Sequence, residues 1–397
     1  MGKKAAATKR HATAPTTQTH GIRSQRDRRA LDCKQRKLRR LARRLQSGAD
    51  DGAFQELRAL AFARGGFVSN ELRQVIWPLL LGTDAAPVVH REHEQHFTRM
   101  NAPHRDDSQV EKDIERSMWH YDVVLNIREG ERRAKRKQLT TIINAVLNDN
   151  QQLYYFQGYH DTCSVFLLVL GDQRSFHAMR TLSATYHREP MRSNFDTVLH
   201  TIRLLFPLLE GEDAELFQHL RESGVEPFFA LPWVITWFAH ELSRFSDVTR
   251  LYDVFLVSHP LFVLYTSAAV VLEARQRVLR AECDFGTLHS LLSKLPKTMD
   301  LEKVLARAAV LFHRLPPDEL ARHSAEEAVV RQTTFLLFPF SFQSRFPTIT
   351  QPFLKPAQYR RVSEPLARQR LSIAAKWEVQ FYAAFSRPAL GPAVLTP

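Results

Sequence analysis

Glycine is scarce in this chain, at 14 of 397 residues, against an average usage of about 7%. That scarcity disfavours a turn-rich β architecture and favours helices. No stretch keeps up the two-residue alternation of half-buried strands, and no fixed-length repeat is evident. Cysteine is nearly absent. Cys33, Cys163 and Cys283 lie far apart and no C-x-x-C occurs, which argues against a disulfide framework or a cysteine zinc site and fits a reducing compartment. No apolar run approaches the roughly 20 residues needed to cross a bilayer. The N-terminus lacks the apolar segment of a secretory signal. There is no Gly-x-x-x-x-Gly-Lys-Ser/Thr loop, so the chain has no phosphate cradle of that kind.

What is present is 44% hydrophobic residues, enough for a sizeable core in one large helical domain or two smaller ones. Charge is unevenly placed. Residues 1–48 hold 15 Lys/Arg against 2 Asp/Glu, which equals the whole chain's net charge of +13 and leaves the remainder balanced. Charge is therefore no argument for nucleic-acid binding by the body. Residues 1–30 have almost no large apolar side chains and are expected to be disordered. In residues 33–46, Leu38, Leu41 and Leu45 recur at helical spacing among seven Lys and Arg, the pattern of a basic amphipathic helix. Such a helix could lie on an anionic membrane, serve as a nuclear-localisation patch, or dock its leucine stripe on the domain.

Periodicity predicts helices over 53–64, ended by Gly65-Gly66, and over 70–81, opened by Ser69 or Asn70 and closed by Gly82, with Pro78 kinking or shortening the last turn. His90, His93 and His96 lie beside Glu92 and Glu94, but His93-Glu-Gln-His96 is one residue short of the H-E-x-x-H zinc spacing, so no metal is expected. The basic run Arg132, Arg133, Lys135, Arg136 and Lys137 reads as a solvated face. Residues 228–240 read as one apolar helix with Trp233 and Trp237 on one side. The apolar span 254–272 is interrupted by Ser258, His259 and Pro260, and reads as two buried helices.

The stretch around which the chain is organised is Leu153-Tyr-Tyr-Phe-Gln-Gly-Tyr-His-Asp161 with the apolar run behind it. Every residue from Val165 to Leu170 is apolar, so a helix there has no polar face and must be buried. A core helix over 158–170 would carry the uncharged Gln157 at its N-terminal end, with Gly158 where a side chain would block close approach. The plainer alternative is a buried glutamine tied to its own backbone.

Tyr155-Phe-Gln157-Gly158 resembles the Y-x-Q-G motif of TBC-domain Rab GTPase-activating proteins. Val110-Glu-Lys-Asp113-Ile-Glu-Arg116 resembles that family's I-x-x-D-x-x-R motif, with Val for Ile. Leu72-Arg73-Gln-Val-Ile-Trp77-Pro78 resembles its first helix, and Arg250-Leu-Tyr-Asp253 its R-L-W-D motif, with Tyr for Trp. The segments 157–161 and 233–238 look most like the ER-associated branch, which acts on the Rab of ER-to-Golgi traffic. The resemblance covers residues 31–315. It implies an all-α fold of two helical lobes around a concave catalytic groove, and it leaves outside it a tail at 1–30 and a partly disordered C-terminal extension at 316–397. The branch usually ends in a membrane anchor. This chain shows no run of the needed length, so a cytoplasmic protein, peripheral at ER or Golgi membranes, is expected.

A slow GTPase lacks neutralisation of charge on the phosphoryl group in flight and a fixed attacking water. A planar, always-charged arginine answers the first need and an amide that both donates and accepts answers the second. By resemblance, Arg116 is the arginine finger and Gln157 the glutamine finger. Asp113 holds Arg116, Tyr155 packs or hydrogen-bonds beside it, and Gly158 and Asp161 support the motif. Arg73, Trp77, Arg250 and Asp253 are scaffold positions. The chain would need no cofactor of its own, because the Rab brings GTP and Mg2+. Its partners would be a Rab and, through residues 33–46, an anionic membrane, with no nucleic acid. The alternatives are a weak TBC scaffold that binds a GTPase without accelerating it, a hydrolase using Cys163 with His160, and a nucleic-acid binder through the basic helix. Retention of both fingers argues against the first. Cys163 lies inside the apolar helix as an inert thiol, and the basic helix lacks interleaved aromatics.

Overall fold

The computed structural model describes residues 25–48, 50–83, 104–118 and 120–323, and among them every regular element is a helix. The histidine-rich segment and most of both tails lie outside the described residues.

The chain opens with α1 (Gln25–Gln46), α2 (Asp51–Phe62) and α3 (Asn70–Leu81). Helix α1 begins ahead of the boundary expected at residue 31, so residues 25–30 are helical rather than tail. Its Leu38, Leu41, Ala42 and Leu45 are buried against α2 and α3, so the leucine stripe docks on the domain. Asp50 caps α2 by accepting from the Ala53 N–H at 2.8 Å. Pro78 neither ends α3 early nor shortens it. The helix runs on to Leu81 and closes on Gly82 at φ 67°, with Gly82 N–H on Leu79 O and Thr83 N–H on Pro78 O. That pair of bonds is a left-handed cap that satisfies the last carbonyls.

Next come α4 (Asp107–Glu115), α5 (Glu129–Asp149), α6 (Tyr159–Leu170) and α7 (Asp172–Ala184). Helix α6 is the expected core helix, with all its residues but Leu168 buried. It packs on α3, α4, α5 and α7, and its ring of apolar side chains is what these helices close around.

The C-terminal half contains α8 (Asp196–Arg203), α9 (Leu205–Glu212), α10 (Ala214–Glu222), α11 (Leu231–Ile235), α12 (Phe245–Phe255) and α13 (Phe262–Glu273). It ends with α14 (Arg275–Leu279), α15 (Phe285–Leu292), α16 (Leu301–Arg314) and α17 (Pro317–His323). Residues 254–272 do hold the end of one buried helix and nearly all of the next, and no helix among the described residues is long and apolar enough to cross a membrane. Ordered packing passes residue 315, with Leu320 of α17 fully buried.

The single helix expected over 228–240 does not form. A 3-10 turn at Pro227–Ala230 leads into α11, which stops at Ile235. Trp237 and Phe238 then adopt φ of 51° and 65°. Phe238 N–H bonds Trp233 O at 2.8 Å and Trp237 N–H bonds Val234 O, the geometry of a helix-ending cap normally made with glycine. Both side chains are buried, so packing outweighs the backbone preference here.

Candidate functional site

Arg116 stands at the C-terminal end of α4, where a cation complements the helix dipole. Its Nη2 donates to Asp113 Oδ1 at 2.9 Å and its Nε to Lys112 O at 3.2 Å, while the side chain stays 44% exposed. The ion pair is exposed on the arginine side and adds little stability. What it fixes is direction. Asp113 itself is buried. It accepts from Gln109 Nε2 at 3.1 Å and from the Tyr155 hydroxyl at 2.8 Å as well as from Arg116. Three donors on one buried carboxylate leave it little freedom.

Tyr155 joins the two motifs. Its backbone N–H is held by Asp106 Oδ2 at 2.9 Å and its hydroxyl reaches Asp113 on α4. Burial, with the Asp113 charge beside it, holds its pKa well above the usual phenol value, so it stays a donor. Two residues on, Gln157 is half-buried between Phe156 and Gly158. Phe156 is buried against Tyr159 and His187, and Tyr159 bonds Ser183 at 2.6 Å, which anchors the glutamine's neighbours in the core. Gly158 has φ 101°, a conformation that favours glycine. Among the described residues the Gln157 amide has no hydrogen-bond partner, its own backbone included, and the alternative of a glutamine tied to itself does not hold.

The loop after Arg116 is fixed from α5, and here the solvated-face reading of the basic run is corrected for Arg132 and Arg136, while Arg133 and Lys137 are exposed as expected. Arg132 is 4% exposed and donates to Met118 O at 2.8 Å and Val124 O at 3.2 Å. Arg136 donates to Ser117 O at 3.0 Å. Met118 sits at φ 63°, and these arginines hold the carbonyls that a strained loop leaves free. His120 and the Tyr121 hydroxyl both reach Ala239 O, at 3.1 and 2.9 Å, which ties the loop to the turn after α11.

Behind Tyr155 the polar chain continues. His160 Nδ1 lies 3.1 Å from the Tyr155 oxygen and its Nε2 lies 3.3 Å from Asp161 Oδ1. Asp161 Oδ2 accepts from His240 Nδ1 at 2.8 Å. Burial of Asp161 acts to raise its pKa, but His160 and His240 outweigh it and hold the carboxyl below the usual range. His240 shows the opposite balance. Burial acts to lower its pKa, and the Asp161 hydrogen bond and charge raise it overall. Cys163 is buried, with its thiol pushed far above the usual value by burial, so it is no nucleophile. No group of His, Cys, Asp and Glu among the described residues could hold a metal ion.

The four scaffold positions meet away from Arg116. Asp253 on α12 accepts from Arg73 Nε and Nη2 and from the Trp77 indole, each at 2.9 Å, and from Phe67 N–H at 2.8 Å. Arg250 donates to Ala61 O at 2.7 Å and pairs with Glu302 at 3.0 Å. These contacts brace α3 and α2 against α12 and leave no free group for chemistry. Sequence reasoning missed Arg132, Arg136, His160 and His240. The partners of Arg132, Arg136 and His240 lie on other segments, as far as 79 residues away for His240 and Asp161, so no local pattern marks them, whereas His160 lies inside the motif beside Tyr155 and Asp161.

The model of the Rab-GTPase-TBC domain family matches residues 70–279. TBC1 domain family member 20 of Bos taurus is 36% identical over 284 residues, covering 71% of this chain and 68% of its own length. The Homo sapiens protein of that name is 34% identical over 307 residues, covering 77% and 74%. The GTPase-activating protein gyp10 of Schizosaccharomyces pombe is 32% identical over 261 residues, covering 64% and 68%. Among solved structures, the Chlamydomonas flagellar RabGAP TBC domain superposes with a TM-score of 0.53 at 16% identity, covering 72% of this chain and 95% of its own. The chain belongs to the Rab-GTPase-TBC domain family.

Proposed function

We propose that this protein accelerates GTP hydrolysis by a Rab-family GTPase, with Arg116 and Gln157 supplied in trans as the catalytic pair. The observation that carries the reading is the 2.8 Å bond from the Tyr155 hydroxyl to Asp113, the residue that aims Arg116. It couples the arginine's support to the loop bearing Gln157. The GTPase brings GTP and Mg2+, and the present chain contributes charge and a water-holding amide. Exposed Val123 and Leu125 on the loop after Arg116, and Tyr154 just before Tyr155, give the surroundings apolar contact area of the kind an interface core uses. The resemblance of the segment Gln157–Asp161 to the ER-associated branch supports a role in ER-to-Golgi traffic.

Single-turnover GTP hydrolysis across a panel of Rabs tests this. An arginine in trans is worth about 10³–10⁵ in rate, or roughly 4–7 kcal/mol of barrier. Arg116→Lys keeps the charge but loses the planar fork, and should lose most of the acceleration with the domain still folded. Gln157→Ala should be severely impaired. A Rab whose own switch glutamine is changed to Leu should still be stimulated. Failure on that Rab, with Gln157→Ala nearly neutral, would reject the glutamine finger and leave Arg116 alone.

A further inference from the structure

We propose that Arg105 is a positioning residue for Gln157, tying the segment that carries the glutamine to the helix that carries Arg116. The proposal rests on the GTPase-activating reading of the site. Between the end of α5 at Asp149 and the start of α6 at Tyr159 the chain has no helix of its own. A segment without a regular hydrogen-bond ladder takes its position from the groups that reach it. This one turns at Asn150, whose side chain accepts from Gln152 N–H and whose carbonyl accepts from Leu153 N–H. Beyond the turn it is held from outside. Met191 O accepts from Tyr154 N–H at 2.8 Å, and Asp106 Oδ2 accepts from Tyr155 N–H at 2.9 Å. Arg105 takes the carbonyl side. Its Nη2 donates to Gln151 O at 2.9 Å and to Leu153 O at 2.5 Å. Its guanidinium carbon stands 3.6 Å from the centre of the Tyr154 ring. A planar guanidinium can bridge carbonyls and stack on an aromatic face at once.

Arg105 and Asp106 lead directly into α4, whose first residue, Asp107, accepts from Asn144 Nδ2 on α5 at 2.9 Å. Helix α4 has nine residues and spans about 13 Å, with Arg116 at its far end. Tyr155 runs beside it, its backbone bonded to Asp106 at the near end and its hydroxyl to Asp113 toward the far end. One short helix is thus a spacer between the two fingers. Its lead grips the glutamine segment and its last turn aims the arginine. Loss of the Arg105 side chain takes this donor from two carbonyls and the stack from Tyr154. Gln157 makes no hydrogen bond among the described residues that would replace them. The Arg105 side chain is 39% exposed, so its removal leaves no hole in the core.

In the full chain, Arg105→Ala should slow stimulated single-turnover hydrolysis about tenfold at saturating protein, because misplacing a catalytic group by about 1 Å costs up to about 10²-fold. The affinity for the GTP-bound Rab should not change. A residue that acts only through the glutamine has nothing left to position once the glutamine is gone. Adding Arg105→Ala to Gln157→Ala should therefore cost no further rate. A loss that multiplies with that of Gln157→Ala would overturn the role. So would an Arg105→Ala protein that loses Rab affinity rather than rate, which would make Arg105 a docking residue. Amide hydrogen exchange gives a readout with no GTPase present. Exchange at Tyr154 and Tyr155 should quicken in Arg105→Ala while α6 keeps its wild-type protection, and unchanged exchange at those amides would also overturn the clamp. A wild-type protein that stimulates no Rab, with exchange quickened in the variant, would instead reject the activating function.

Discussion

At the scale of single residues, the site is a line of hydrogen bonds and ion-pair contacts in which charge and burial shift the protonation of Tyr155, Asp161 and His240. Asp161 and His240 are the pair with the clearest consequences for stability. The Asp161 pKa is depressed, so its contribution is present above its unfolded value near about 4 and is lost as pH falls through the folded value. The His240 pKa is raised, so its contribution is fully present below about pH 6.5 and is lost as pH rises through the folded value. His240→Asn should therefore lower the melting temperature most between about pH 5 and 6.5. The gap from wild type should close toward about pH 9. Thermal unfolding across that range checks this, and a gap that widened with rising pH would contradict the ion pair.

At the scale of elements, the contrast between α6 and the segment after α11 shows what a sequence can carry. Helix α6 was legible because an unbroken apolar run too short to cross a membrane has a single physical solution, full burial. The 228–240 segment has the same apolar character, yet its helix stops at Ile235 because Trp237 and Phe238 are packed in left-handed conformations by distant neighbours. The Arg116 and Gln157 motifs were legible as patterns, but the 2.8 Å bond between Asp113 and Tyr155 that relates them was not. Arg132 looked like any other member of a basic run until the carbonyls of Met118 and Val124 came to it. The turn between α2 and α3 yields a test of the scaffold. Gly66 has φ 51°, and a Cβ there would collide with the Asp253 carboxylate and crowd Arg250. Gly66→Ala combines backbone strain of about 1–3 kcal/mol with displacement of a buried carboxylate that holds Arg73 and Trp77. Denaturant unfolding should show the domain destabilised by at least that strain, whereas Gly65→Ala, with nothing near its Cβ, should show the backbone contribution alone.

At the scale of the whole molecule, the excess positive charge and the proposed catalytic pair belong to different parts of the chain. The +13 resides in residues 1–48 and the rest is balanced. Helix α1 has its leucine stripe buried, so insertion of an apolar face into lipid is closed to it. Lys37 is paired with Glu56 and Arg44 with Asp50. Arg36, Arg39, Arg40 and Arg43 remain exposed along the helix. Contact with an anionic membrane would then be electrostatic, worth about 1 kcal/mol per basic residue near the surface. It should be abolished when the screening length shrinks to about 3 Å in 1 M salt. Cosedimentation with phosphatidylserine vesicles at low and high salt measures this directly. Changing those four arginines to glutamine should remove vesicle binding while leaving Rab stimulation in solution intact, since the substitutions touch neither the buried leucines nor the loops bearing Arg116 and Gln157. Vesicle binding that persisted in 1 M salt, or that ignored the substitutions, would mean that α1 only docks on the domain and that membrane contact arises elsewhere in the chain.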